Sequence, residues 1–390
     1  MTRPQLLTGA RLFDGESWIE GRALLIGDGR IAGLPAAGED VSGAERVDLP
    51  PGTILAPGFL DLQVNGGGGV LFNAEPTADA ALAIAAAHRP FGTTALFPTF
   101  ITGDAGGMRR AAEAAAEAAG VPGGGVAGLH LEGPFLSPAR RGVHEASFVR
   151  APTDADIDYL RGLPARFPRG RVLLTCAPEA MRPGDIARLA AAGIVVAGGH
   201  SAAGLERTRE AVAEGLSGFT HLFNAMPPIA NREPGITLAA MADAGTWAGI
   251  IADGVHVHPE LLKTALRLKP GRLFLVTDAM PPTGTDAHSF VLDGRTIRRQ
   301  DGRLVTEDGT LAGADLDMAQ AVRNAVALLG LPVEEALRMA SLYPARFVGL
   351  EGSHGRIAPG RAADLVLLSP ELRVRGTWVA GVRHEVPWGP

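Results

Sequence analysis

Residues 218–228 read Gly218-Phe-Thr-His-Leu-Phe-Asn-Ala-Met-Pro-Pro228: an apolar run, a histidine, then a proline-stiffened loop. The run has strand character, and His221 falls where that strand should end. A buried strand has no use for a polar imidazole at its exit, and a surface loop seldom gathers so much apolar weight around one. Such a residue suits a site at the mouth of a barrel, where loops carry chemistry on a rigid scaffold.

Outward from this stretch the arrangement repeats. Candidate strands at 54–63, 93–100, 125–132, 172–177, 194–199, 218–222, 248–253 and 273–278 alternate with alanine-rich helical segments. The helices fall at 77–89, 105–119, 153–164, 183–192, 202–215, 236–244 and 259–268, with 315–329 and 333–342 after them. Eight strands alternating with helices predict an α/β fold, a closed parallel (β/α)8 barrel spanning 57–345. Residues 294–309 predict a hairpin inserted after the eighth strand. The chain ends hold strands and turns without helices, and Asp28-Gly29 between apolar runs is a hairpin signal. They predict that 1–56 and 346–390 pair into one small β-sandwich domain.

Bulk properties narrow the function. A chain of 390 residues suits one large barrel plus a small companion. A net charge of −6 with no basic cluster argues against nucleic acid. The alanine-rich stretches are interrupted by charges, so no membrane span is expected, and the first residues lack an apolar core of signal-peptide length. The single cysteine, Cys176, lies in the apolar run Val172-Leu-Leu-Thr-Cys-Ala-Pro178 and reads as an inert buried thiol. It excludes an internal disulfide and suits a reducing, cytoplasmic setting.

The polar residues concentrate at strand ends. Gln63 and Asn65 follow strand one, Glu132 closes strand three, His200 strand five and His221 strand six; His256 follows strand seven and Asp278 closes strand eight. Each has a structural explanation taken singly, as a cap or a hydrogen-bonded rim residue. Independent structural roles need not converge on one face, however, and all of these fall on the C-terminal rim. Glu132, His200 and His221 make a divalent-metal set of one oxygen and two nitrogens with a position left for water. A metal there lowers the pKa of bound water to about 7, and Asp278 is the natural proton acceptor. Gly66-Gly-Gly-Gly69 lacks the Lys and Ser/Thr of a nucleotide-binding loop.

The ordered motifs Pro57-Gly-Phe-Leu-Asp-Leu-Gln-Val-Asn-Gly66, His130-Leu-Glu-Gly-Pro-Phe135, Gly199-His-Ser201, Thr220-His-Leu-Phe-Asn-Ala-Met-Pro227, Ala252-Asp-Gly-Val-His256 and Val276-Thr-Asp-Ala279 closely resemble the N-acetylglucosamine-6-phosphate deacetylase family of the amidohydrolase superfamily. The likeness runs from about residue 5 to 380, and Gly355-Arg-Ile-Ala-Pro-Gly-Arg-Ala-Ala-Asp-Leu-Val366 is a superfamily-wide feature. It implies hydrolysis of the acetamide of N-acetylglucosamine 6-phosphate to glucosamine 6-phosphate and acetate. It further implies Glu132, His200 and His221 as metal ligands, Asp278 as catalytic acid/base, and His144 as the residue that polarises the acetyl carbonyl. Val143, Asn224, Ala225, Arg232, His256, Leu311, Ala312 and Gly313 match substrate contacts, and a homodimer sharing some phosphate contacts is the family expectation. A bidentate arginine and backbone N–H groups suit a phosphate dianion.

One departure from the wider superfamily is informative. Where many members carry His-x-His and a second metal, this chain reads Gln63-Val-Asn65, and carboxamides are poor divalent-metal ligands. A single cation is expected: zinc suits the nitrogen-rich set, with iron, cobalt and manganese as alternatives. His130 reads as packing or as support for the ligands, and His258 as a helix cap or a surface residue. His88, His288, His354 and His384 read as non-functional. The rival readings are the same chemistry on N-acetylgalactosamine 6-phosphate or another N-acyl compound, and a barrel retained as a non-catalytic scaffold.

Overall fold

The computed structural model describes residues 3–386. Eight parallel strands stand side by side in chain order: β1 (Phe59–Val64), β2 (Thr93–Ile101), β3 (Gly128–Glu132), β4 (Arg171–Cys176), β5 (Val195–Gly198), β6 (Gly218–Phe219), β7 (Trp247–Ile250) and β8 (Leu273–Leu275). All nine residues of β2 are buried, as expected of a strand covered on both faces. The cover comes from helices α1 (Ala78–His88), α2 (Ala105–Ala119), α3 (Asp154–Gly162), α4 (Asp185–Ala191), α5 (Leu205–Glu214), α6 (Gly235–Ala242) and α7 (Pro259–Leu268), then α8 (Met318–Ala327), α9 (Val333–Ala340) and α10 (Leu342–Phe347). Thr77, Asp104 and Thr153 cap α1, α2 and α3 by accepting backbone N–H groups, which satisfies donors that a helix start leaves unpaired.

The barrel closes without a regular ladder between β1 and β8. The bridge Val64–Ala279 joins them, and the Asp278 N–H donates to the Gln63 carbonyl at 3.0 Å. Asp61, fully buried on β1, accepts from the Thr277 hydroxyl at 2.5 Å and from the amides of Thr277 and Gln63 at 3.3 and 3.2 Å. Burial pushes its carboxyl up to about 7. The seam therefore passes through the residues flanking Asp278.

The expected elements are present with three local corrections. The run 54–63 is not one strand: it breaks at Gly58, where a Cβ would lie 2.1 Å from the Thr94 hydroxyl oxygen. Its first part, Ile54–Pro57, leaves the barrel and pairs with Leu365–Leu368 and Arg11–Phe13. The sixth strand ends at Phe219 rather than 222, because His221, Phe223 and Ala225 take φ of 28°, 79° and 51°, which no strand allows. The insert after β8 is a four-stranded antiparallel sheet rather than a lone hairpin, made of β9 (Ser289–Leu292), β10 (Arg295–Gln300), β11 (Arg303–Val305) and β12 (Leu311–Ala314).

Both chain ends meet in a six-stranded sheet that runs 382–385, 374–379, 365–368, 54–57, 11–13, 18–19. A four-stranded sheet of 30–33, 24–27, 5–8 and 45–48 lies against it. Leu7, Leu24, Ile26, Leu55, Leu365 and Trp378 form an apolar cluster between them. The larger core fills the space between barrel strands and helices. A third cluster joins Leu292, Ile297 and Leu304 of the insert to Ile101, Val143 and Met280.

Candidate metal and active site

Asn65, Glu132, His200, His221, His256 and Asp278 line one cavity of about 540 Å³, together with His144, Asn224, Ala225, Leu311 and Gly313. Parallel registry sets their height: Glu132 lies opposite Ile101 on one side and Thr175 on the other. Beyond the strands, His200, His221 and Asp278 all take positive φ, at 49°, 28° and 51°. Non-glycine residues rarely adopt this backbone, and where they do so together the surroundings hold them for function. Gly313 (φ 67°) lets the insert pass close to this rim, since a Cβ there would lie 2.9 Å from the Asp278 carbonyl oxygen.

Three atoms form a tight triangle. Glu132 Oε1 is 2.9 Å from His221 Nε2 and 3.1 Å from His200 Nε2, and the two nitrogens are 3.0 Å apart. Nδ1 of His200 lies 2.9 Å from the Arg140 carbonyl, which can only accept, so the ring proton sits on Nδ1 and Nε2 presents a lone pair. That lone pair faces a carboxylate oxygen and another imidazole nitrogen. Electron-rich atoms this close repel unless a cation lies among them, and one carboxylate with two imidazoles is a divalent-metal donor set. The residues therefore fit a metal. Glu132, His144 and His200 also offer ligand atoms within 4.8 Å of one another. His144, however, directs Nδ1 to the Thr102 hydroxyl at 2.8 Å, so the triangle through His221 is the better-formed set.

Gln63 and Asn65 tie this triangle to Asp278. Gln63 Nε2 donates to both Glu132 oxygens at 3.2 and 3.3 Å and to Asp278 Oδ1 at 3.2 Å. Asn65 Nδ2 donates to the same Oδ1 at 2.7 Å. Gln63 thus links the two carboxylates, and Asn65 gives Asp278 Oδ1 a second donor.

The electrostatics follow from burial and these partners. Burial raises the Asp278 carboxyl to about 6, and the negative Glu132 adds to the effect. Burial pushes Glu132 the same way, but the adjoining His200 and His221 imidazoles outweigh it and hold the group well below the usual carboxylate range. Burial opposes charge on His221, yet its bond to Glu132 wins and raises it. Burial, with the neighbouring His200, lowers His144 to about 3, so its ring is neutral. His130 is likewise lowered to about 4 by burial; it is held between the hydroxyls of Thr99 and Thr175 at 3.2 and 2.8 Å.

The expected substrate contacts divide. Val143, Asn224, Ala225, His256, Leu311 and Gly313 line the cavity. Ala312 is buried in the third apolar cluster, and Arg232 is exposed on the loop before α6, outside the lining of its own chain's cavity. His288 and His384 make no site contact, while His88 is fully buried and its Nε2 bonds the Gly66 carbonyl at 3.0 Å. His258 caps α7.

Several residues at the site had not been singled out. Thr102 orients His144, the Arg140 carbonyl orients His200, and Asp253 Oδ2 holds His256 Nδ1 at 2.6 Å. Asp253 had a signal, since an Asp three residues before a His in a Gly-containing turn can accept the turn amides and bond the ring. It accepts the N–H groups of Val255 and His256 at 2.8 and 2.9 Å.

Comparison with known proteins agrees with this geometry. The amidohydrolase family model matches residues 54–383. An N-acetylgalactosamine-6-phosphate deacetylase of Shewanella sp. (strain ANA-3) is 42% identical over 378 residues, 96% of this chain and 94% of that one. The crystal structure of N-acetylglucosamine-6-phosphate deacetylase from Pasteurella multocida superposes with a TM-score of 0.93 at 32% identity, covering 98% of this chain and 100% of that one. A mutant of the Mycobacterium smegmatis N-acetyl-D-glucosamine-6-phosphate deacetylase, in complex with N-acetyl-D-glucosamine-6-phosphate, superposes at 0.88 with 35% identity, covering 98% and 99%. The cation-ready triangle, the closed barrel that presents it and these full-length likenesses agree: the chain belongs to the amidohydrolase family.

Proposed function

We propose that this chain is a metal-dependent deacetylase that hydrolyses the acetamide of N-acetylglucosamine 6-phosphate, releasing glucosamine 6-phosphate and acetate. The observation that carries the reading is the Glu132–His200–His221 triangle, joined through Gln63 to a buried Asp278. The name of the Shewanella relative favours a second reading with the galacto sugar at the same site. Glu132, His200 and His221 would hold one divalent cation, and zinc suits the two imidazole donors best. When bound, such a cation supplies Lewis acidity towards the acetyl oxygen and lowers the pKa of water.

The chain's own groups do the rest. Asp278 Oδ1 accepts both carboxamides, which leaves Oδ2 to take a proton from the attacking water. The water oxygen adds to the acetyl carbon, the C–N bond breaks, and the proton on Oδ2 passes to the departing nitrogen. With the Thr102 hydroxyl donating to Nδ1 at 2.8 Å, its shorter contact, the neutral His144 ring would carry its proton on Nε2 and offer it to the negative charge that develops on the acetyl oxygen. Asn224 and Ala225 meet the sugar phosphate through their backbone, and His256 makes a further substrate contact. Arg232 is exposed outside the lining of its own chain's cavity, and we assign it to the phosphate held by a neighbouring subunit of a homodimer. No described helix is long and apolar enough to cross a membrane, and we assign the enzyme to the cytoplasm.

The test is acetate release from both N-acetylhexosamine 6-phosphates and their unphosphorylated sugars, with cation content measured in the same preparation. Turnover of neither phosphorylated sugar by cation-loaded protein would sink the reading.

A further inference from the structure

The segment 138–145 carries His144, so its shape sets where the carbonyl-polarising ring stands. Most of its ties are local. Arg141 Nη1 donates to the carbonyls of Gly142 and His144 at 3.3 and 2.8 Å, and the His144 N–H donates to the Arg141 carbonyl at 3.1 Å. A different tie comes from the insert. Arg295, at the start of β10, sends Nη2 across to the Val143 carbonyl. The Val143 side chain meanwhile packs with Leu292, Ile297 and Leu304 of the same sheet. The insert thus grips residue 143 by backbone and side chain, immediately before His144. Elsewhere the two stand apart around a cavity of about 510 Å³, lined in part by Arg141, Arg295, Glu307 and Asp308, so the grip bridges an open gap. Arg295 Nε is buried and has no acceptor among the described residues. An arginine serving only solubility would turn that group to water.

We propose that Arg295 is a positioning residue: through the Val143 carbonyl it holds the 138–145 segment so that His144 meets the acetyl oxygen. The proposal rests on the deacetylase reading of the site and on the role given there to His144. It assigns the insert a catalytic purpose beyond lining the cavity with β12.

The test is a double-mutant cycle on the cation-loaded full chain, with Arg295→Ala and His144→Asn. In the wild-type background Arg295→Ala should lower kcat for acetate release about 10- to 100-fold, as expected for a displaced catalytic group. KM should stay within about 3-fold, and Arg295→Lys should recover part of the loss. In the His144→Asn background the same change should cost less than about 3-fold, because its target is already gone. Hydrogen exchange, which needs no activity, should show residues 140–145 exchanging faster in Arg295→Ala. Equal losses in both backgrounds, or unchanged exchange, would overturn the proposal. If Arg295→Ala does not fold, Arg295→Gln and Arg295→Lys keep the aliphatic stem and carry the same cycle. If the wild type releases acetate from neither phosphorylated sugar, the deacetylase reading fails, and the exchange comparison alone decides whether Arg295 holds the segment.

Discussion

The cavity has two unlike walls. One is built from strand exits: Glu132 ends β3, and His200, His221 and Asp278 follow β5, β6 and β8 within a few residues. The other is built from the 138–145 segment and the insert that leans over it. On the first wall the barrel ladders fix Glu132 directly and the strand exits from which His200, His221 and Asp278 follow within a few residues, because the end of a parallel strand has its height set by registry with its neighbours. On the second, position depends on a few individual contacts: Thr102 to His144, Arg295 to Val143, and Val143 in its apolar cluster. The stiff wall suits a cation, which needs fixed donors. The looser wall suits a substrate that must enter, be gripped and leave.

The first wall should break completely when a ligand is removed. His221→Ala, or His200→Ala, leaves Glu132 facing one imidazole. The expected outcome is protein with well under one cation per chain after dialysis, and acetate release at background. Full cation occupancy in either variant would mean the triangle is not the binding site. Asp278→Asn should be next in size. It keeps the shape of the side chain and removes the proton acceptor, so kcat should fall about 10²- to 10⁴-fold with the cation retained. A variant that loses both together would make Asp278 a ligand instead.

The second wall should respond more mildly. Thr102→Val removes the hydroxyl that holds His144 at 2.8 Å and keeps its volume. The loss of one such hydrogen bond corresponds to roughly a 10-fold fall in kcat, with cation content unchanged. An unaltered kcat would show that the ring is held by packing alone.

The two walls also differ in how far they could be read from the sequence. Strand–helix alternation gives the strand ends to within a few residues, so Glu132, His200, His221 and Asp278 stand out in the sequence. The strand boundaries were less legible where single residues decide them. Gly58 breaks the first strand because Thr94, 36 positions on, leaves no room for a Cβ. The left-handed backbone at His221 and Phe223 ends the sixth strand early. The second wall was mostly hidden. Nothing near Thr102 or Arg295 signals a partner, because Thr102 pairs 42 residues away and Arg295 152 residues away, and local pattern carries no such information. Arg232 illustrates the reverse case, since its match to a substrate contact is legible but its exposure is not.

The smallest expected effect lies where the second wall returns to the scaffold. After the 138–145 segment the chain is anchored by Arg150, whose guanidinium meets Asp156 at 2.6 and 2.8 Å. Asp156 also closes the capping box of α3 with Thr153. The hydrogen bond from Arg150, helped by those from Thr153, holds the Asp156 carboxyl well below its ordinary 3.8. In the folded chain it therefore binds its proton at lower pH than in the unfolded one. Its contribution to stability is complete above about pH 4 and is lost as pH falls through the folded value. Asp156→Asn should cost about 1–2 kcal/mol at neutral pH, read by urea unfolding, and the difference from wild type should shrink on acidification. Turnover at pH 7 should stay within about 2-fold, because the segment's grip on His144 lies in Thr102 and Arg295. A fall in kcat as large as that of Thr102→Val would show instead that the second wall takes its shape from α3.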